Sequence, residues 1–516
     1  MNDSAQPQAA GVDEVSGRRL SFAFAKRHGV LVNRVVDGIA ECIYRDTASP
    51  QALAEVRRYL RRSLRLERVP EAQFDELLRH AYEAGSDAMQ AVEGLDDTTD
   101  LAHLAQDLPE QADLLDSEDD APIIRLINAV LTQAVKENAS DIHIEPFENR
   151  LVIRFRVDGV LREVLQSRRA VAPLVVSRVK VMSRLDIAEK RLPQDGRIVL
   201  KIAGRDYDVR LSTLPTQYGE RCVLRLLPRT QELLSIEKIG LTTRHQETLR
   251  RLIRRSNGII LVTGPTGAGK TNTLYAALAD INKPEHNIMT IEDPVEIRLP
   301  GISQIEVKSS IGLTFAAGLR SILRQNPNVI LVGEIRDLET AEVAIQASLT
   351  GHLVFSTLHT NESAGSITRL IDMGVEPFLI SSSLVAAMAQ RLIRVLCKRC
   401  REAYTPTDEE LAEIGLRRAD LASHTIYRPK GCVHCNHTGY HGRTGIFEIL
   451  QIDDVIRGMI TRGVDSKQIQ DQAVRLGMQT MRMHGARMVL DGHTSVSEIL
   501  RQTQEEAVAA LDPEAA

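Results

Sequence analysis

Tryptophan is absent from this 516-residue sequence and aromatic residues make up only 3% of it, so flat side chains on which nucleic-acid bases could stack are scarce. Long hydrophobic runs are also missing. The most apolar stretch, Phe378 to Ala389, is interrupted by Ser381, Ser382 and Ser383 and falls short of the roughly 18 residues that a bilayer-spanning helix requires. The N-terminal MNDSAQPQAAGVDEVSG lacks the basic start and apolar centre of a secretory signal. These absences predict a cytoplasmic chain without disulfides. Of the six cysteines, Cys42 and Cys222 stand alone and read as small buried residues, which leaves four to explain.

Lysine and arginine are missing between Glu93 and Asp120, where eleven acids occur. Such a block repels itself and reads as a flexible linker. Without those eleven acids the net charge of −5 becomes +6, so the body of the chain is mildly basic, with no strong positive stripe. The 43% apolar and 26% charged residues are those of a globular protein and exclude a disordered chain, a coiled coil and a collagen-like rod. The length suits about three or four domains.

Residues 1–92 precede the linker at 93–120. They read as a small helical module, because Leu53, Val56, Leu60 and Leu64 recur at helical spacing while Arg57, Arg61 and Arg65 lie i,i+4 on another face. That basic face is either solvated or suited to anionic lipid or an acidic partner. In residues 121–235, Ile123 to Val135 has helical periodicity. It is followed by period-two segments such as RLVIRFRVDGVL and RDYDVRLSTLP, giving an α+β domain with an arginine-rich outer face. In residues 236–395, the apolar runs IILV, NIMTI, NVILV and HLVFST read as buried parallel strands alternating with helices, an α/β domain. A cysteine-bearing segment (396–448) and a helical C-terminal region (449–516) complete the chain.

The first of these strands runs into Gly264-Pro265-Thr266-Gly267-Ala268-Gly269-Lys270-Thr271 and then a helix, the setting a P-loop requires. Its backbone N–H groups suit phosphate oxygens, Lys270 the β and γ phosphates of ATP, and the Thr271 hydroxyl Mg2+. Glu292 and Asp293 end the second strand, Glu334 and Arg336 follow the third and His359 the fourth, at the carboxyl ends where α/β sheets bind ligands. Glu334 is the candidate to orient water, with Glu292 and Asp293 as further acids for Mg2+ or water; a surface acid pair is the alternative for these two. His359 suits a γ-phosphate sensor, a contact to the next subunit or a structural role. Candidate cations for the developing charge are Arg320, Arg324, Arg336 and Arg369 in this domain and Arg197, Arg210 and Arg225 in the preceding one, a distribution that favours sites completed between protomers.

Cys397-Lys-Arg-Cys400 and Cys432-Val-His-Cys435 are two CxxC pairs 31 residues apart, the ligand set of a closed, structural Zn2+ site, although the gap is longer than in the commonest zinc template. Free thiols or a redox dithiol are the alternatives. His434 and His437 are possible substitutes as ligands.

Together, SDIHIEP, RVDG, QDGR, STLPT, GER, GPTGAGKT, IEDPVE, VGEIRD, GHLVFSTLHTN, the tetracysteine segment and TGYHGRTGIFE, in this order from Ser140 onward, resemble the secretion ATPases of type II secretion and type IV pilus assembly machines. Gly333, where a Walker B aspartate usually stands, agrees with that pattern. Within the family, SFAFAKRHGVLV and a single small N-terminal module resemble the type II secretion branch. The resemblance implies a RecA-like P-loop core, a preceding PAS-like α+β domain, ATP, Mg2+ and structural Zn2+. It further implies a homohexamer at the cytoplasmic face of the inner membrane, held there by residues 1–95 on the cytoplasmic domain of an L-type platform protein and working on an F-type one to extend a pseudopilus. A pilus assembly ATPase is the nearest alternative, and a nucleic-acid motor a more distant one. Asn272, Asn326 and Asn328 depart from the family pattern at positions that bear on hydrolysis rate.

Overall fold

The computed structural model describes residues 20, 24–25, 28–36, 39–46, 48–60, 62–70, 74, 77, 121–202, 205–229, 233–421 and 424–503. The acidic segment 93–120, Ser21 and Arg61 lie outside these residues. The chain divides into two compact units, Met1–Arg229 and Thr230–Ala516.

The N-terminal module is mixed α/β, not helical. Strand β1 (Val30–Val36) pairs antiparallel with β2 (Ile39–Arg45), helix α1 (Pro50–Leu60) crosses over, and β3 (Ser63–Val69) pairs parallel with β2. Ala52, Val56 and Leu60 face the core as a helix predicts, but Leu64 lies on β3. A spacing of four is even and therefore fits a period of two as well as 3.6, which is why Leu60 and Leu64 mimic one continuous helix. Arg57 and Arg65 consequently share no helical face, and Arg65 pairs across the sheet with Glu41 at 2.9 Å.

The next domain opens with α2 (Ala121–Lys136) and builds a six-stranded antiparallel sheet in the order β6-β5-β4-β9-β8-β7 from β4 (Asp141–Pro146), β5 (Arg150–Val157), β6 (Val160–Arg168), β7 (Gln194–Ile202), β8 (Arg205–Thr216) and β9 (Gly219–Pro228). Its inward residues, including Ile153, Phe155, Val209, Leu211, Cys222 and Leu224, form one core with Leu126 and Val130 of α2 and Val175 and Val179 of α3 (Ala172–Met182). Burial pushes the Cys42 and Cys222 thiols up to about 11 and about 12, as inert core cysteines require. On the other face the register aligns Arg197, Arg210, Arg225, Asp141 and Arg156 in one row. Asp141, His143 and Glu145 of SDIHIEP are buried on this face and thread acids among the arginines.

The second unit contains α4 (Thr243–Leu252) and a seven-stranded sheet, order β12-β11-β13-β14-β10-β15-β18. Its strands are β10 (Gly258–Thr263), β11 (Ile288–Glu292), β12 (Ser303–Glu306), β13 (Val329–Val332), β14 (Leu353–Leu358), β15 (Leu384–Leu396) and the antiparallel β18 (Tyr440–Gln451); the others run parallel. Helices α5 (Lys270–Ile281), α6 (Phe315–Leu323), α7 (Leu338–Leu349), α8 (Gly365–Asp372) and α9 (Pro377–Ser383) connect them. Alternate residues of β10 enter different cores, Ile259 and Leu261 one and Ile260 and Val262 the other, so the sheet is covered on both faces. The cysteine segment is an excursion between β15 and β18 that carries the small hairpin β16 (Glu402–Ala403) and β17 (Tyr427–Arg428). Four helices follow, α10 (Asp454–Thr461), α11 (Ser466–Arg475), α12 (Met481–Leu490) and α13 (Val496–Gln502). Each is N-capped by a side chain, in turn Asp453, Asp465, Thr480 and Ser495, that accepts a backbone N–H. Such caps are worth about 1 kcal/mol each. No helix among the described residues is long and apolar enough to cross a membrane.

Candidate active site and metal centre

Strand β10 is buried along its whole length and ends at Gly264, where the chain turns and enters α5 at Lys270. A side chain at Gly264 (φ 148°) would place its Cβ 2.5 Å from the Gln390 carbonyl oxygen, so the loop lies against β15 only as glycine. Pro265, Thr266 and Gly267 form an exposed mouth. The Lys270 ammonium donates to the carbonyls of Gly264 (2.6 Å) and Pro265 (3.2 Å) and lies 3.4 Å from His359 Nδ1. Burial lowers Lys270 to about 8; Glu334 opposes that shift and Arg391 adds to it.

Glu334 follows β13, with its side chain 13% exposed. Its carboxylate meets Arg336 Nη2 at 2.5 Å and His359 Nε2 at 3.3 Å. His359 therefore bridges the P-loop lysine and the candidate water-orienting acid. A Cβ on Gly333 would come within 3.3 Å of the Glu292 backbone and of Phe315, so the position usually held by aspartate is closed sterically. Glu292 is buried and accepts from Tyr275, from Thr290 Oγ1 (2.5 Å) and from Gln304 Nε2 (3.2 Å). Asp293 is exposed and close enough to Arg336 to favour its charge.

Of the arginines in this unit singled out from sequence, Arg336 touches the cluster. Arg320 pairs with Glu339 at 2.7 Å on an exposed surface, Arg324 donates to the Arg320 carbonyl and Ser321, and Arg369 is exposed near the end of α8. Arg197, Arg210 and Arg225 lie in the first unit, where Asp208 accepts from Arg197 (2.6 Å) and Asp141 from Arg225 (3.0 Å). Sequence reasoning missed Arg391, which is 8% exposed, as well as Gln390 and Thr360. The signal was a polar pair, QR, inside the apolar run of β15.

The Cys397, Cys400, Cys432 and Cys435 sulfurs all lie within 4.8 Å of one another. Neighbouring sulfurs are 3.7 to 4.0 Å apart, close to the edge of about 3.8 Å in a tetrahedron with Zn–S of about 2.3 Å and far beyond the roughly 2.05 Å of a disulfide. Backbone N–H groups of Cys432 and Gly439 donate to Cys435 Sγ at 3.2 Å, suiting a thiolate. The donor set and spacing therefore fit zinc. His434 and His437 are outside the cluster; the His434 ring stacks on His441 instead, 4.7 Å between centroids.

The profile of the family described as Type II/IV secretion system protein matches residues 116–501, and a profile for the N-terminal domain of GSPII protein E matches 19–82. Type II secretion system protein E of Aeromonas hydrophila is 52% identical over 488 residues, 94% of this chain and 97% of the relative. Type II secretion system ATPase E of Vibrio cholerae is 50% identical over 491 residues, 95% of this chain and 97% of the relative. The X-ray structure of the Legionella pneumophila ATPase DotB superposes with a TM-score of 0.54 at 21% identity, covering 74% of this chain and 96% of that one, which establishes the RecA-like fold. With a family profile covering most of its length and relatives at half identity along nearly all of it, the chain belongs to the type II secretion ATPase family.

Proposed function

We propose that the chain is a cytoplasmic, Mg-ATP-hydrolysing motor that acts as a homohexamer and powers type II protein secretion by driving pseudopilus assembly. The observation that carries this reading is the convergence of Lys270, Glu334, Arg336 and His359 at the carboxyl edge of a parallel sheet, beside an exposed glycine loop. In this reading the loop amides of residues 264–269 and Lys270 hold the β and γ phosphates, and Thr271 holds Mg2+. Glu334 orients the attacking water, and His359 reports on the γ-phosphate. Glu292, tied down by Tyr275, Thr290 and Gln304, fixes the turn that presents Asp293.

Residues 1–92 dock the protein on the cytoplasmic domain of an L-type inner-membrane platform protein, with 93–120 as tether. Residues 121–235 bring Arg197, Arg210 and Arg225 toward a neighbour's nucleotide, joined by Arg320, Arg324 and Arg369 at the subunit boundary. Zinc supplies a rigid cross-link among the four cysteines, and an F-type platform protein receives the motion. ATP hydrolysis by the assembled protein tests the site. Lys270→Ala and Glu334→Gln should each lower kcat by about a hundredfold or more. Full activity in either variant would refute the assignment.

A further inference from the structure

Arg391 reaches from β15 to the edge of the P-loop. Its guanidinium donates to the Asn361 carbonyl at 3.0 Å, to Asn361 Oδ1 at 3.1 Å and to the Gln390 carbonyl at 3.2 Å. It also lies against the first glycine of the loop, 3.4 Å from where a Cβ on Gly264 would stand. Asn361 is two residues beyond His359. Between them, Thr360 is fastened to Thr263, the last residue of β10, by a hydroxyl pair at 2.7 Å and by the Thr360 N–H at 2.8 Å. The segment 359–361 is thus pinned to both strands that cradle the P-loop, through Thr360 to β10 and through Asn361 to β15. Its first residue, His359, faces Lys270 with one ring nitrogen and Glu334 with the other.

We propose that Arg391 is a positioning residue of the nucleotide site: it clamps segment 359–361 to the P-loop so that His359 is held between Lys270 and Glu334, and it adds a fixed positive charge beside the phosphate position. The proposal rests on the ATP-site reading given above. A strut that merely fills the sheet would also weaken the protein when removed, so the test needs a readout that packing does not move.

The pH dependence of kcat/KM supplies it, since that ratio follows free-enzyme groups. The groups facing Lys270 are Glu334 after β13, His359 after β14, Arg391 on β15 and the Gly264 and Pro265 carbonyls; Arg336 in turn faces Glu334. Lys270 is charged below about 8 and loses its charge above that value. Removing the Arg391 charge raises the Lys270 pKa, so in full-length Arg391→Gln the alkaline limb of kcat/KM should move up by about half a pH unit or more, with kcat lowered about tenfold. Arg391→Lys should keep the limb in place and recover part of kcat. Asn361→Ala, at an exposed position, should lower kcat without moving the limb. An unmoved limb in Arg391→Gln, or wild-type kcat in Asn361→Ala, would overturn the proposal; the second measurement stands even where Arg391→Gln fails to fold. An active Lys270→Ala would instead overturn the ATP-site reading.

Discussion

His245 on α4 and His484 on α12 are 5% and 2% exposed, with rings edge-on at 5.1 Å. The Phe447 N–H donates to His484 Nδ1 at 3.0 Å, so His484 must stay neutral to accept it. Burial lowers both to about 4; for His245, His484 and Arg244 add to the effect. A folded-state value below the unfolded one, about 6.5, means that the unfolded chain takes up protons first as pH falls. The stabilisation is therefore complete above about 6.5 and is lost as pH drops toward 4, by at most about 3 kcal/mol per histidine. Urea midpoints of the full chain should fall between pH 7 and pH 4.5, and the fall should be smaller in His245→Phe and in His484→Gln. An identical slope in both variants would remove the pair as its cause. Neither histidine was legible in the sequence, because a lone His in a helix carries no sign of what packs against it. Lys270, Glu334 and the four cysteines were legible because glycine turns, strand ends and CxxC spacing are local patterns.

At the scale of elements, β10, β11, β13 and β14 were readable because strands covered on both faces leave unbroken apolar runs. Strand β12 was not, since its SQIE sequence at the sheet edge is half exposed and nearly polar. Strand β18 was hidden for another reason. It pairs with β15 from Ala386↔Gln451 to Leu396↔Tyr440 only after the cysteine excursion, and such a long-range register leaves no local signal. Because both ends of the excursion are anchored in the sheet, loss of metal should disorder residues 397–439 and leave the nucleotide site standing. The intact protein should hold about one zinc per chain, and chelation should open that segment to protease while Lys270-dependent nucleotide binding persists. A chain that binds no zinc would refute the structural site.

At the scale of the whole molecule, composition separated an acidic segment from a basic body, and the resemblance along the chain identified the family. It could not show how acids temper the arginine-rich face of the first unit. There Arg210 stands in register between Arg197 and Arg225, while Asp208 and Asp141 bind the outer two. Like charges directly opposite one another on a sheet destabilise it, so such a row is retained against a local cost, and an anion brought by a neighbouring protomer would relieve it. The central claim is that hydrolysis at Glu334 drives secretion, and the most direct measurement replaces the chain in its host by Glu334→Gln and follows ATP hydrolysis and export into the medium together. The expected result is loss of both at unchanged protein level and with nucleotide binding retained. Export at the wild-type rate from cells carrying only the Glu334→Gln chain would contradict it.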